Sequence, residues 1–266
     1  MTRLAPILAF LLCLANGAMA ETVSPDVVKS LAPTGTLRAA INFGNTVLAQ
    51  RGENDEPRGI SAELARELAR RLGLAIAFAT FDAAGKVTDA VKAGLWDVAF
   101  LAVDPVRAAD IEFTAPYVVI EGTYMVPTDS PLMTVEDVDR PGVRIAVGRG
   151  SAYDLYLTRA IKHATLIRGE GPAASIKLFV ADRLDAAAGV RQPLVAYARM
   201  DPGVRVMAGR FMAIEQAMAV PKGREAGYRY LKTFIEEMKA SGFVARALAA
   251  SGRENDALVA PPAPAD

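Results

Sequence analysis

Short apolar runs alternate with stretches of helical spacing along most of the chain. The run TLRAAI at 36–41 predicts a strand, and Asn42, Phe43, Gly44 and Asn45 predict a turn. After a polar loop over 51–57, Ile60 and Ser61 open a helix, with Ser61 the expected N-cap. Leu64, Leu68 and Leu72 recur at i, i+4 and i+8, the spacing of one buried helix face, and Gly73 stops the helix. A strand at 74–78, a helix at 86–93 ended by Gly94, and a strand at 97–103 follow. The last is apolar on both sides, which suits a parallel strand covered by helices. The sum is a β-α-β-α-β unit.

The segment FTAPYVVIEGTYMVP at 113–127 breaks that rhythm: it is extended and apolar, with no helix inside it. A second unit then begins. Strands are predicted at 143–147, 164–167, 185–189 and 204–207, and helices at 152–162, 172–180 and 191–199, with a tight turn at 148–151. Residues 215–220 predict a return strand. A helix at 225–240 carries Tyr228, Leu231, Phe234, Ile235 and Met238 on one face, and 243–250 closes the fold. The expected fold class is α/β, two lobes joined by two extended crossover strands. The first lobe takes 35–125 and 216–252, the second 126–215. The proline-rich end, 253–266, is expected to be a disordered tail.

Lobes joined in this way can rotate and enclose a ligand. Ligands of such sheets sit beyond the carboxyl ends of strands. The candidate positions are therefore Asn42 to Asn45, Gly85 and Lys86, Ala102 to Arg107, Gly148 to Ser151, and Gly189 to Arg191.

The first 20 residues, MTRLAPILAFLLCLANGAMA, place one charge before an apolar run and end in Ala18-Met19-Ala20. This is a secretory leader, expected to be cleaved after Ala20, with an apolar run too short to anchor the chain. Its removal takes Arg3 and Cys13 with it. Of 30 basic residues 29 remain, against 30 acidic ones, and no cysteine is left. Disulfides, thiolate catalysis and cysteine metal sites are excluded. Near-neutral charge gives no footprint for nucleic acid. The single histidine, His163, has no ligand cluster around it, so no metal is expected. There is no G-x-x-x-x-G-K-[ST] segment, and GRGS at 148–151 lacks the third glycine of a dinucleotide loop. No cofactor and no catalytic residue are assigned.

Four stretches resemble the polar amino-acid group of periplasmic solute-binding proteins, family 3, with the type II two-lobed fold. They are LRAAINFG with GISAELARELARRLG, then AVKAGLWDVAFLAVDPVRAADIEFTAPYV, then GVRIAVGRGSAYDLYL, and LDAAAG with the helix after it. The resemblance implies a periplasmic substrate-binding component of an ABC transporter, a monomer that closes on a small solute and serves a membrane permease. Arg107 falls on the family's carboxylate-binding arginine, whose fork suits a bidentate pair. Its alternative is a helix-surface arginine. Ser151, at the second-lobe helix start, would offer its N–H and hydroxyl to an anion, or serve only as an N-cap. Gly150 would let the backbone come close.

Two positions depart from the family. Val190 stands where the family usually has the aspartate that pairs with a ligand ammonium, and Ala102 where a serine or threonine is common. Asn45 and Ala84 stand near positions that are aromatic in the family, with Phe43 close by. The implied ligand is a carboxylate-bearing organic anion or an atypical amino-acid-like compound. Asn42, Asn45, Phe43, Lys86, Asp104, Glu121 and Arg191 remain candidate contacts; Asp104 could instead cap its turn, and Lys86 and Arg191 could face solvent. Two other classes stay open. One is a dehydratase-like enzyme on a cyclic carboxylic acid, with Glu121 or Asp104 as general acid. The other is an accessory or sensory protein on the same scaffold.

Overall fold

A computed structural model of the chain describes residues 23–264. The expected leader and its cleavage point lie outside the described residues. The first element is a short helix that the sequence pattern does not single out, α1 (Pro25–Leu31). Ser24 caps it by accepting from the Val27 N–H, and its Leu31 is fully buried. The first unit then runs β1 (Thr36–Asn42), β2 (Gln50–Arg51), β3 (Pro57–Arg58), α2 (Ile60–Leu72), β4 (Ala75–Phe81), α3 (Ala84–Asp89) and β5 (Val98–Ala102). The long strand β6 (Ile111–Pro127) leads out of it.

The second unit runs β7 (Arg144–Gly148), α4 (Ala152–Ala160), β8 (Thr165–Gly169), α5 (Pro172–Ala181), β9 (Ala186–Val190), α6 (Arg191–Ala198) and β10 (Val204–Val206). The return is made by β11 (Met212–Pro221). Helices α7 (Glu225–Ala240) and α8 (Phe243–Ala250) and the short strand β12 (Leu258–Val259) complete the chain.

Each unit is built on parallel strands: β1 lies between β4 and β5, and β7 between β8 and β9. The crossing strands are antiparallel to their neighbours, β11 to β5 and β6, and β6 to β9. The backbone ladder is therefore continuous from one unit into the other, in the order β4-β1-β5-β11-β6-β9-β7-β8. Two separate sheets, as the alternation of units suggests, are not formed. The interior is nonetheless divided. Leu37, Ile41, Leu64, Leu68, Leu231 and Phe234 belong to a core on one side of the first unit, and Trp96, Leu101 and Ile111 to the core on its other side. Tyr124, Val147 and Leu157 fill one side of the second unit, and Phe179, Leu184 and Leu194 the other. The result is two α/β lobes joined by crossover strands.

Two local expectations are corrected. The N-cap of α2 is Gly59, with φ +96, and Ser61 lies buried within the first turn. A serine one step into a helix is no longer placed to accept from the free N–H groups. The tail, expected to be disordered, is docked through Ala263, whose N–H donates to Glu236 Oε2 at 3.2 Å. Leu258 and Val259 pair with Val119 and Val118 of β6, and the Ala260 N–H donates to the Tyr117 carbonyl at 3.0 Å. Lys239 holds the Pro261 carbonyl at 2.8 Å. Composition points to disorder, but Ala257 to Ala260 precede the prolines and find an unpaired stretch of β6.

The first lobe is tied together by Asp97, which is fully buried. Its carboxylate accepts from the Arg38 N–H at 3.1 Å, from Arg38 Nε at 2.9 Å and from Arg224 Nη1 at 3.0 Å. Arg224 also reaches the Ser30 carbonyl, so one anion joins α1, β1, β5 and the start of α7. Burial pushes the Asp97 carboxyl up; the bonds from Arg38 and Arg224 outweigh this and hold it below the ordinary carboxylate value. Its contribution is then complete above the unfolded value of about 3.9 and disappears as pH falls through the lower folded value. Asp97→Ala is expected to cost about 3–5 kcal/mol in chemical denaturation at neutral pH, because two arginines lose their partner. The gap between the two proteins should narrow in the same measurement as pH drops below about 4.

Candidate functional site

A cavity of about 40 Å³ lies between the lobes. The first lobe contributes Asn42, Gly44, Asn45, Ala84, Phe100, Leu101, Ala102 and Arg107. The second contributes Ser151, Ala152, Tyr153, Pro172 and Val190, and β11 contributes Ile214 and Gln216. Six of the residues expected at the cleft, Asn42, Asn45, Ala102, Arg107, Ser151 and Val190, are thus brought together.

Arg107 is positioned by the turn after β5. Asp104 builds that turn, accepting from the Val106 N–H with its side chain (2.8 Å) and from the Ala108 N–H with its carbonyl (2.9 Å). Arg107 is 2% exposed. Its Nη1 donates to the Ala102 carbonyl at 2.8 Å and its Nη2 to the Gly150 carbonyl of the other lobe at 2.9 Å, while Nε has no partner. Burial brings its pKa down to about 10, against the pull of the nearby Asp104 carboxylate. No carboxylate lines the cavity with it.

The second-lobe helix start is already filled. Ser151 caps α4, its Oγ accepting from the Asp154 N–H at 3.1 Å, and its own N–H donates to the Gly148 carbonyl at 3.0 Å. The Gly150 N–H donates to Asp154 Oδ2 at 2.9 Å, and Arg168 Nε holds the other oxygen of that carboxylate at 2.9 Å. The backbone donors expected to take a ligand anion are therefore engaged by the chain itself. Gly150 meets the cavity through its carbonyl on Arg107.

The remaining candidates are placed away from the cavity. Lys86 pairs with Asp82 at 2.8 Å, and Phe43 lies under the Arg51 guanidinium, 4.3 Å from it. Glu121 is held by Arg191 at 2.6 Å and Arg210 at 3.2 Å, and Arg191 also donates to the Met207 carbonyl. Asp104 pairs across the lobes with Arg159 at 2.8 Å. Gln216, Tyr153, Phe100 and Ile214 line the cavity without having been singled out. For Gln216 a signal existed: with Glu215 on the outward face, it is the polar residue on the inward, otherwise apolar face of the strand, directly opposite Ala102.

Backbone contact closes the lobes. Gly150 has φ +67, and a Cβ on it would lie 2.7 Å from the Gly85 Cα of the first lobe; one on Gly85 would lie 3.0 Å from the Arg149 carbonyl oxygen. Gly223 has a comparable φ, +84, with nothing near it. Both Gly150→Ala and Gly223→Ala carry the left-handed strain of roughly 1–2 kcal/mol. Only Gly150→Ala should also hold the lobes apart, giving a larger radius of gyration in small-angle X-ray scattering than either the unsubstituted protein or Gly223→Ala.

Comparison with the curated proteins gives no match. Solved structures do match. The chain resembles the cysteine-binding protein from Campylobacter jejuni at 17% identity and a TM-score of 0.74, over 88% of this chain and 99% of that one. It resembles the solute receptor for L-cysteine of Neisseria gonorrhoeae at 21% identity and 0.73, over 84% and 92%. An ancestral amino acid-binding protein, a precursor of cyclohexadienyl dehydratase, matches at 22% and 0.70, over 84% and 97%. These likenesses establish the type II two-lobed fold. Residues 41–250 match the family model described as bacterial extracellular solute-binding proteins, family 3. That stretch holds both lobes, the crossings and the cavity, and the chain belongs to this family of solute-binding proteins.

Proposed function

We propose that the protein is the periplasmic substrate-binding component of an ABC importer, closing on a small carboxylate-bearing organic anion that it delivers to its membrane permease. The observation that carries the reading is Arg107: a guanidinium removed from water, facing the cavity, with a free Nε and no anionic partner. Burying such a charge is costly unless an anion joins it. An ammonium-bearing ligand finds no carboxylate partner, since Val190 and Ala102 line the cavity and no Asp or Glu does. Asp104 and Glu121, which might have replaced the missing aspartate, are tied to arginines elsewhere. The same placement leaves a dehydratase-like reaction without its general acid.

A second reading, an accessory protein whose lobes stay shut, draws on one observation. The cleft is bridged by the chain's own groups, Arg107 to Gly150 and Asp104 to Arg159.

The deciding experiment is purification from the periplasm without denaturation, mass spectrometry of any retained molecule, and calorimetry with that molecule. A retained organic acid supports import. An empty protein with one unchanging scattering profile supports the accessory reading. Arg107→Ala should weaken binding of the retained acid by at least about 2 kcal/mol, roughly thirtyfold. Val190→Asp places a carboxylate in the cavity and should also weaken it strongly. Unchanged or tighter binding by that variant would overturn the anion assignment and point to an ordinary amino acid.

A further inference from the structure

We infer that the cleft selects a short acid with a second oxygen acceptor, a 2-oxo or dicarboxylic acid, because the side chains nearest Arg107 offer donors whose own acceptor ends are already fixed on the chain. The inference rests on the carboxylate reading above. The side-chain oxygen of Asn42 accepts from the Gly44 N–H at 2.9 Å, and that of Asn45 from the Val47 N–H at 3.3 Å. A backbone N–H can only donate, so each amide oxygen is fixed on the loop. Each Nδ2, a pure donor, is left without a protein partner. Arg107 adds its unpartnered Nε.

The acceptors at the cavity are engaged. The Ala102 and Gly150 carbonyls take Arg107, and Ser151 Oγ takes the Asp154 N–H. Gln216 can present either end of its amide, and the Tyr153 hydroxyl can donate or accept. A carboxylate on Arg107 puts the rest of the ligand in the cavity that Asn42 and Asn45 line. An oxo group or second carboxylate satisfies them, an alkyl chain leaves them empty, and an ammonium opposes them. A cavity of about 40 Å³ is far below the roughly 300 Å³ at which ordinary ligand pockets begin, which favours a short acid.

Calorimetry on the full mature protein with pyruvate, malonate, propionate and L-alanine tests this. Pyruvate and L-alanine have nearly the same size and differ in the group beside the carboxylate. Pyruvate or malonate should bind at least about tenfold more tightly than propionate and L-alanine. Propionate equal to pyruvate would sink the second acceptor and leave the carboxylate reading standing. L-alanine the tightest would sink both. Binding of none would overturn the short-acid claim, while the retained molecule still decides the carboxylate reading.

Asn45→Asp sharpens the test. It keeps an oxygen for the Val47 N–H and replaces the free donor with an acceptor. The preference should move toward L-alanine over pyruvate by about tenfold or more. An unchanged ratio would overturn the donor role of Asn45. Asn42→Asp, which preserves its own bond to the Gly44 N–H, gives the same reading should the first variant not fold.

Discussion

A buried guanidinium with no salt-bridge partner is the constraint around which the cleft is arranged; Asp104 lies near it but pairs with Arg159. Removing such a charge from water costs several kcal/mol even after the protein relaxes. Arg107 recovers part of that from two carbonyl dipoles, and they come from different lobes. Only one of them, Ala102, is available when the lobes part. Opening would return the charge to water. Closing exchanges water for one cross-lobe carbonyl and leaves Nε without a partner. An anion entering the cavity changes that balance most in the closed state, where the dielectric is low and solvent does not compete. On the proposed reading, closure and anion capture are coupled through this one side chain.

The other buried charges near the lobe seam are paired. Asp154 is held by Arg168 and by the Gly150 N–H, and Asp104 by Arg159. Asp97 has two arginines in the first lobe. Against that background the unpaired Arg107 is the exception, and departures from otherwise consistent pairing are where function is expected. The same pairing explains why the helix start of α4 is not an anion site. Asp154, one turn into the helix, folds back on the Gly150 N–H while Ser151 Oγ takes the Asp154 N–H, and together they do internally what a ligand would do.

Much of the lobes was legible because their signals are local. Strand 97–103 is apolar on both faces, Leu64, Leu68 and Leu72 mark one helix face, and 113–127 has no helix inside it. Placement of Asn42, Asn45, Ala102, Arg107, Ser151 and Val190 at the cavity followed from their positions at or just after strand ends. What stayed hidden depends on contacts between distant residues or on side-chain direction. Asp104 meets Arg159, and Glu121 meets Arg191 and Arg210, through pairings no periodicity announces. Phe43 and Lys86 lie in the right turns but face away, toward Arg51 and Asp82. The tail carried a disorder signal in its composition, yet a few strand-forming residues ahead of the prolines found the open edge of β6.

The forces that hold the lobes together without a ligand are individually weak. Arg159 is 42% exposed, so its pair with Asp104 is screened and contributes little, on the order of 1 kcal/mol or less. The Gly85–Gly150 contact is backbone against backbone, with dispersion and no charge. Arg107 adds one hydrogen bond and subtracts hydration. Terms this small are within reach of a ligand's binding energy. A ligand shifts the balance only by as much as it prefers one state. For the proposed anion that preference would come from Arg107 and the first-lobe asparagines beside it, enclosed by the second lobe when Gly150 comes within contact of Gly85. The glycines set how far the lobes close, and the unpaired charge sets what rewards closing.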